Sequence, residues 1–183
     1  MTTSMKVAGS FAVCAVVSLS CTSLFGPDTA NVLIQTDAVH YEASHVSGEG
    51  SYTRYGFSLV ARTVNLGRSE IYLARCYPTS VVPVYGVELV DRSNSRGSAY
   101  SRAWACVGHD DQFRLGPGDS RTDTLTIAGP NAFDGRTGTP FGILEGRMRL
   151  RYELQSCRGD GACRVDGSAG RSNEFTVTLA TDR

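Results

Sequence analysis

The sequence predicts an all-β protein: an antiparallel β-sandwich placed after a signal peptide and a short linker. Three observations predict it. Apolar residues recur at every second position in short runs, Gly, Pro, Ser or Asn bounds each run, and no stretch keeps an amphipathic helical period for more than a turn or two. A half-buried sheet needs a second apolar face to cover it, so the strands are expected to stack in two layers.

The order along the chain begins with "MTTSMKVAGSFAVCAVVSLSC". Its one cation is Lys6, followed by an uncharged apolar run from Val7 to Leu19. This is the layout of a secretory signal, and the run, interrupted by Ser10, Ser18 and Ser20, falls short of the roughly 20 apolar residues that a membrane span takes. Residues 1–20 are therefore expected to leave as a signal peptide. Cys21 follows the small residue Ser20 and precedes a polar stretch with Pro and Gly, "TSLFGPDT". This resembles the lipobox of bacterial lipoproteins, which implies that Cys21 is acylated and that residues 21–30 form a lipidated linker. Lipoproteins usually carry Leu and then a small residue three and two positions before the cysteine. Here Ser18 and Leu19 stand there, so the alternative is an ordinary signal-peptidase cut near Ser20 that leaves Cys21 free or paired.

Residues 31–183 are read as one domain, since about 160 residues suffice for one sizeable core. "NVLIQTDAVHYEA" reads as a β-branched run, and "YGFSLVARTVNLG" puts Tyr55, Phe57, Leu59, Ala61 and Thr63 on one face. "EIYLARC", "VPVYGVELVD" and "YSRAWACV" follow as further strands. "DTLTIAG" comes after the turn "LGPGDS". "RMRLRYEL" presents Met148, Leu150, Tyr152 and Leu154 to one side, and "NEFTVTLA" closes the chain. The spacing of "F-x-L-x-A-R-T-V-x-N-L-G", "L-G-P-G-D-S" before "D-T-L-T-I", and "G-R-M-R-L-R-Y-E-L" resembles bacterial extracytoplasmic immunoglobulin-like domains. It is also similar to the sandwich inhibitors of the intracellular proteinase inhibitor family of bacilli. The resemblance covers most of residues 55–180 and implies an immunoglobulin-like β-sandwich. It assigns no role to the long segment between Cys76 and Cys106, and fold alone names no function.

There are six cysteines. Cys14 leaves with the signal, and acylation of Cys21 leaves an even set, Cys76, Cys106, Cys157 and Cys163, which in an exported protein reads as two disulfides with three possible connectivities. The favoured pairing joins Cys157 to Cys163 across the tight turn "CRGDGAC" and Cys76 to Cys106 across a longer loop. A four-cysteine zinc site is the rival, although it lacks close C-x₂₋₄-C pairs. Within the turn, Arg158, Gly159 and Asp160 form a tripeptide similar to that of constrained integrin ligands, making it a possible recognition loop. Turn geometry alone also favours Gly and Asp there.

Formal net charge is zero, and every Lys or Arg after Lys6 is Arg. A balanced surface makes no electrostatic case for nucleic acid. His40 and His45 are spaced to fall on opposite faces of a strand, and with His109 they form no matched metal triplet. "GHDDQ" offers adjacent carboxylates to a calcium ion but also suits a polar turn. No G-x-S-x-G elbow occurs, Ser98 and Ser101 read as members of a flexible Gly/Ser loop, and Trp104 beside Cys106 reads as core packing. No cofactor is expected. The expectation is an exported, lipid-anchored, non-catalytic binding or structural module of the bacterial cell envelope. Its expected partners are the membrane through the anchor and an envelope protein or glycan, met by "TGTPFGILEG" or "RSNSRGSAY". The alternative is a protease-inhibitor-like sandwich or an envelope hydrolase on the same scaffold.

Overall fold

A computed structural model describes residues 31–46, 53–91, 96–100, 111–134, 136–157 and 163–181. These form an all-β fold of eleven strands, with no α-helix among the described residues. The strands are β1 (Val32–Thr36), β2 (His40–Val46), β3 (Arg54–Asn65), β4 (Ile71–Arg75), β5 (Tyr85–Leu89), β6 (Asp111–Leu115), β7 (Ser120–Gly129), β8 (Ala132–Phe133), β9 (Pro140–Phe141), β10 (Gly146–Cys157) and β11 (Cys163–Leu179).

Pairing divides most of them into two groups. In the first, β3 carries β7 along one edge, from Tyr55 opposite Gly129 to Val64 opposite Ser120. On its other edge it carries β1 at Ala61–Asn65 and β2 at Arg54–Gly56. In the second, β10 pairs with β11 on one edge. On the other it pairs with β5 over Met148–Tyr152 and with β4 at Leu154 and Gln155, and β6 lies beyond β4. Strand β2 joins the groups, pairing with β11 through His40–Ala43 and with β3 through Ser44–Val46.

The alternation read from the sequence holds where it was strongest. Phe57, Leu59, Ala61 and Thr63 of β3 and Met148, Leu150, Tyr152 and Leu154 of β10 are all buried. With Leu125 and Ile127 of β7 and Phe175 and Val177 of β11 they belong to one core, in which Tyr41 stacks on Phe57 and meets Phe175 edge-on. Apolar faces from both strand groups thus exclude water together.

Two features differ from the sequence reading. The sheet is mixed and not purely antiparallel, because β11 runs parallel to both β2 and β1. A parallel pair needs a long crossover, and the remainder of the chain between the first strands and the last supplies one. The run "NVLIQTDAVHYEA" is two strands and not one. Asp37 breaks it: its N–H donates to the carbonyl of Val60, and its Oδ1 accepts from the Val60 N–H (2.9 Å) and the Tyr41 hydroxyl (2.7 Å). The carboxylate thereby takes the ladder position a strand residue would have held, and the chain turns from β3 toward β11. Burial pushes the Asp37 carboxyl up, but the hydrogen bonds from Tyr41 and Val60 outweigh it and hold the group below its ordinary value.

A second joint lies at the far end of β3. Asn65 is fully buried. Its Nδ2 donates to the carbonyls of Ser69 (2.8 Å) and Leu115 (3.1 Å), and its Oδ1 accepts from the Gly67 N–H (2.9 Å). Its backbone N–H donates to the Asp119 carbonyl, and its carbonyl accepts from the Gly118 N–H. Gly118 has a φ of 80°, which the "LGPGDS" turn requires and few side chains tolerate.

Asn65→Ala removes the side-chain partner of two carbonyls and one N–H at a buried joint, and it should cost about 2–4 kcal/mol of stability in urea unfolding. Because Asp37 has its pKa lowered by folding, its stabilisation is present above the unfolded value and is lost as pH falls through the folded one. The urea midpoint of the wild-type chain should therefore fall below about pH 4, and more steeply than that of Asp37→Asn measured over the same range.

Candidate functional site

The connection from β4 to β5, "CYPTSVVPV", cannot extend a ladder. Pro78 and Pro83 lack the N–H a central strand needs, and the segment abandons period-two alternation, leaving Val81 80% and Tyr77 57% exposed. It is nonetheless firmly held. The Ser80 N–H donates to the Tyr77 carbonyl, the Val84 N–H to the Ala74 carbonyl, and the Glu153 N–H to the Val84 carbonyl. Arg121 Nη2 donates to the Val81 carbonyl (2.7 Å), and the Tyr85 hydroxyl to the Thr126 carbonyl (3.0 Å).

Arg121 is itself fixed. It forks onto Asp123 two residues along β7, with Nε 2.8 Å from Oδ1 and 2.9 Å from Oδ2, and its guanidinium lies 3.6 Å from the centre of the Phe113 ring. The buried Asp123 also accepts from the Tyr152 hydroxyl at 3.2 Å. Burial, then the Asp123 charge and this hydrogen bond, push the Tyr152 phenol far up, so it is a permanent donor.

Between this segment and the edge of β7 that no other described strand pairs lies a cleft of about 680 Å³. Val81, Val82, Pro83, Val84, Ile127 and Ala128 give it apolar walls, and Arg54, Tyr100 and Asn131 contribute polar groups. Tyr100 is held against the end of β7. A Cβ on Gly129 would stand 2.6 Å from the Ala99 carbonyl oxygen and 2.8 Å from Tyr100 Cδ1. The Tyr100 N–H donates to Ser98 Oγ (3.1 Å), and the ring meets Phe57 edge-on at 5.2 Å. Asn131 donates its N–H to the Ala99 carbonyl. The Tyr100 hydroxyl, Asn131 Oδ1 and Arg54 Nε are buried atoms with no hydrogen-bond partner. Burial, with the Glu145 charge second, pushes the Tyr100 phenol well above its ordinary value.

A second cleft, about 430 Å³, lies between Leu89–Asp91 and Ile143–Arg147. It borders the "TGTPFGILEG" loop, in which Gly142 (φ 115°) packs on Ala99.

The sequence-predicted residues are distributed as follows. Cys21, Cys106, Trp104, His109, Ser101 and the Arg158–Gly159–Asp160 tripeptide lie outside the described residues. Cys76, at the foot of the cleft wall, is disulfide-bonded. The backbone register makes Cys157 and Cys163 Cα partners where β10 and β11 meet. His40 and His45 are both exposed, the first with Nε2 at 3.2 Å from Thr178 Oγ1, the second edge-on to Tyr55. Asp111 of "GHDDQ" opens β6 opposite Arg75. Ser98 departs from its reading as part of a flexible loop: it is buried and bridges to Ile143, because the Ala99 N–H donates to the Ile143 carbonyl and the Ile143 N–H to the Gly97 carbonyl. No group of three His, Cys, Asp or Glu residues placed to hold a metal occurs among the described residues, and no helix among them is long and apolar enough to cross a membrane.

Sequence reasoning missed Arg54 and Asn131 and gave the 76–85 wall no role. The available signal was the apolar run "SVVPV" bracketed by prolines, which fits neither strand nor polar turn.

No protein-family model matches the chain, and no curated protein matches it. A solved structure titled "X-ray structure of Northeast Structural Genomics Consortium target SoR45" is similar, at 13% sequence identity and a TM-score of 0.37, covering 84% of this chain and 89% of that one. A likeness at that score decides neither fold family nor function.

Gly129→Ala places a methyl against backbone and ring at once. It should destabilise the fold by about 1–3 kcal/mol, and its effect should appear in the Tyr100 and Asn131 resonances before those of β10.

Proposed function

We propose that this chain is a lipid-anchored, extracytoplasmic protein of the bacterial envelope whose immunoglobulin-like sandwich acts by binding and not by catalysis. The observation that carries the binding reading is the cleft between residues 76–85 and the edge of β7. Its volume falls within the range of small-ligand sites, most of its accessible lining is apolar, and its buried polar atoms without a hydrogen-bond partner come from three separate segments. Those atoms belong to an arginine, an amide and a phenol held protonated by burial. None of them exchanges a proton near neutral pH, so they suit recognition better than acid–base work. Two strand groups sharing one apolar core support the sandwich. The order of the strands quoted above supports its immunoglobulin-like character.

The anchor rests on the apolar leader and on Ser20 before Cys21. We further propose that Cys76 pairs with Cys106 and Cys157 with Cys163. The first bridge braces the base of the cleft wall, and the second closes the β10–β11 turn, whose register already opposes the two residues. The natural partner is an envelope component met in the periplasm or at the cell surface.

Expressed with its leader, the wild-type chain should fractionate with membranes and Cys21→Ser should be released in soluble form. A variant that remains membrane-bound defeats the anchor. The soluble form should turn over no substrate in a broad hydrolase screen. Turnover abolished by a single Asp, Glu, Ser or His substitution that leaves the fold intact defeats the binding reading, and inhibition of a protease without turnover replaces it with an inhibitor.

A further inference from the structure

We propose that the cleft takes an apolar carboxylic acid carrying an N–H or O–H donor beside the acid group, the chemistry of an N-acylated amino acid, with Arg54 as its counter-ion. This rests on the binding reading above and assigns its ligand class. Among the described residues, Arg114, Arg121, Arg147, Arg149 and Arg171 each have a carboxylate partner. Arg54 is not one of them, although its Nε is buried. An arginine stays charged at any accessible pH, and a cation partly removed from water without a compensating anion is unfavourable. Arg54 is the one charged side chain among the described residues lining the cleft. A single guanidinium matches a monoanionic carboxylate, whereas a phosphate dianion draws several cations.

The neighbouring groups refine this. Tyr55 pairs with Gly129, so Arg54 and Asn131 stand just past the last pair of the β3–β7 ladder, and Tyr100 packs on Gly129 itself. The Tyr100 hydroxyl is a second donor for the acid. Asn131 Nδ2 lies 3.4 Å from the Ala128 carbonyl, which leaves Oδ1 as an acceptor awaiting a donor. Each of the three atoms has lost its water and gained no partner, and a ligand bearing an acid and an adjacent N–H or O–H supplies what all three lack. Because the atoms lie just behind the cleft surface, the Arg54 stem must rotate to present its guanidinium, a motion that long side chains make readily. The apolar body of the ligand then lies along Val82, Val84 and Ile127, and exposed Val81 and Tyr77 form the rim.

The test uses the mature wild-type chain, titrated by calorimetry with three probes: N-acetyl-L-leucine, N-acetyl-L-leucinamide and 4-methylpentanoate. The acid should bind at least tenfold more tightly than its amide. Arg54→Gln should remove that preference, and Asn131→Ala should remove the preference for N-acetyl-L-leucine over 4-methylpentanoate. Should Arg54→Gln fail to fold, Val81→Asp on the exposed rim adds a charge that repels the acid and should weaken the acid severalfold more than it weakens the amide; equal weakening of the two overturns the proposal. Equal binding of acid and amide, an unchanged Arg54→Gln, or no binding of the acid each overturn the proposal. A neutral fluorescent probe, N-phenyl-1-naphthylamine, separates the two levels. Its binding in the cleft without competition by the acid overturns the ligand class and leaves a binding module, whereas turnover of any probe overturns the binding reading itself.

Discussion

The side-chain amide of Asn65 ties the two strand groups together at the end of β3, away from the strand pairings that also join them. It stands at the end of β3, in the first group, and holds the Leu115 carbonyl at the end of β6, in the second. It also closes the 66–69 turn into β4, while its own backbone receives the 116–119 turn that leads into β7. A buried amide this fully engaged is demanding, because in a low-dielectric interior each group left unpaired costs what a bond would have gained. That demand makes the joint specific. An apolar side chain could fill the space but could not select these turns over other ways of linking the same strands.

The Asp37 corner performs the complementary task at the other side of β3. There a carboxylate and a backbone N–H occupy the ladder position at Val60, the chain leaves β3, and β2 is free to run beside β11 before returning. Both devices use a polar side chain to imitate backbone, which is how a strand changes neighbour without leaving peptide groups unpaired. Among the described residues, no strand covers the second edge of β7. The 76–84 segment, which two prolines keep out of the strand ladders, stands off that edge and leaves the cleft.

The sequence revealed what depends on local periodicity. β3 and β10 alternate cleanly, so their buried faces could be named residue by residue. The β1–β2 corner was hidden because Ala38 and Val39 continue the apolar, β-branched character across it, and the bonds that make Asp37 a corner reach Val60, far away in the chain. Asn65 could be seen within "VNLG", yet its role depends on Leu115. Ser98 suggested mobility by its Gly and Ser neighbours, whereas the close approach of Ala99 to Gly129 and Gly142 buries it. The cleft was illegible for the same reason. Its polar atoms come from positions 54, 100 and 131, which no motif spacing connects.

The stiffness of the cleft follows from the core beneath it. Asp123 is buried with its charge shared between the Arg121 fork and the Tyr152 hydroxyl, and Arg121 spends a remaining donor on the Val81 carbonyl. A buried ion pair contributes little to net stability, since desolvation offsets most of its attraction. Its consequence here is positional. Arg121 cannot move without abandoning Asp123 or the face of Phe113, so Val81 is held at a fixed distance from β7, and Tyr85 fixes the same separation through Thr126. A wall held from both ends would have little freedom to lose to the ligand we propose. Affinity that a mobile loop would forfeit to ordering would be retained in that binding, and the atoms without a hydrogen-bond partner, Arg54 Nε, the Tyr100 hydroxyl oxygen and Asn131 Oδ1, belong to residues that line the cleft the wall keeps open.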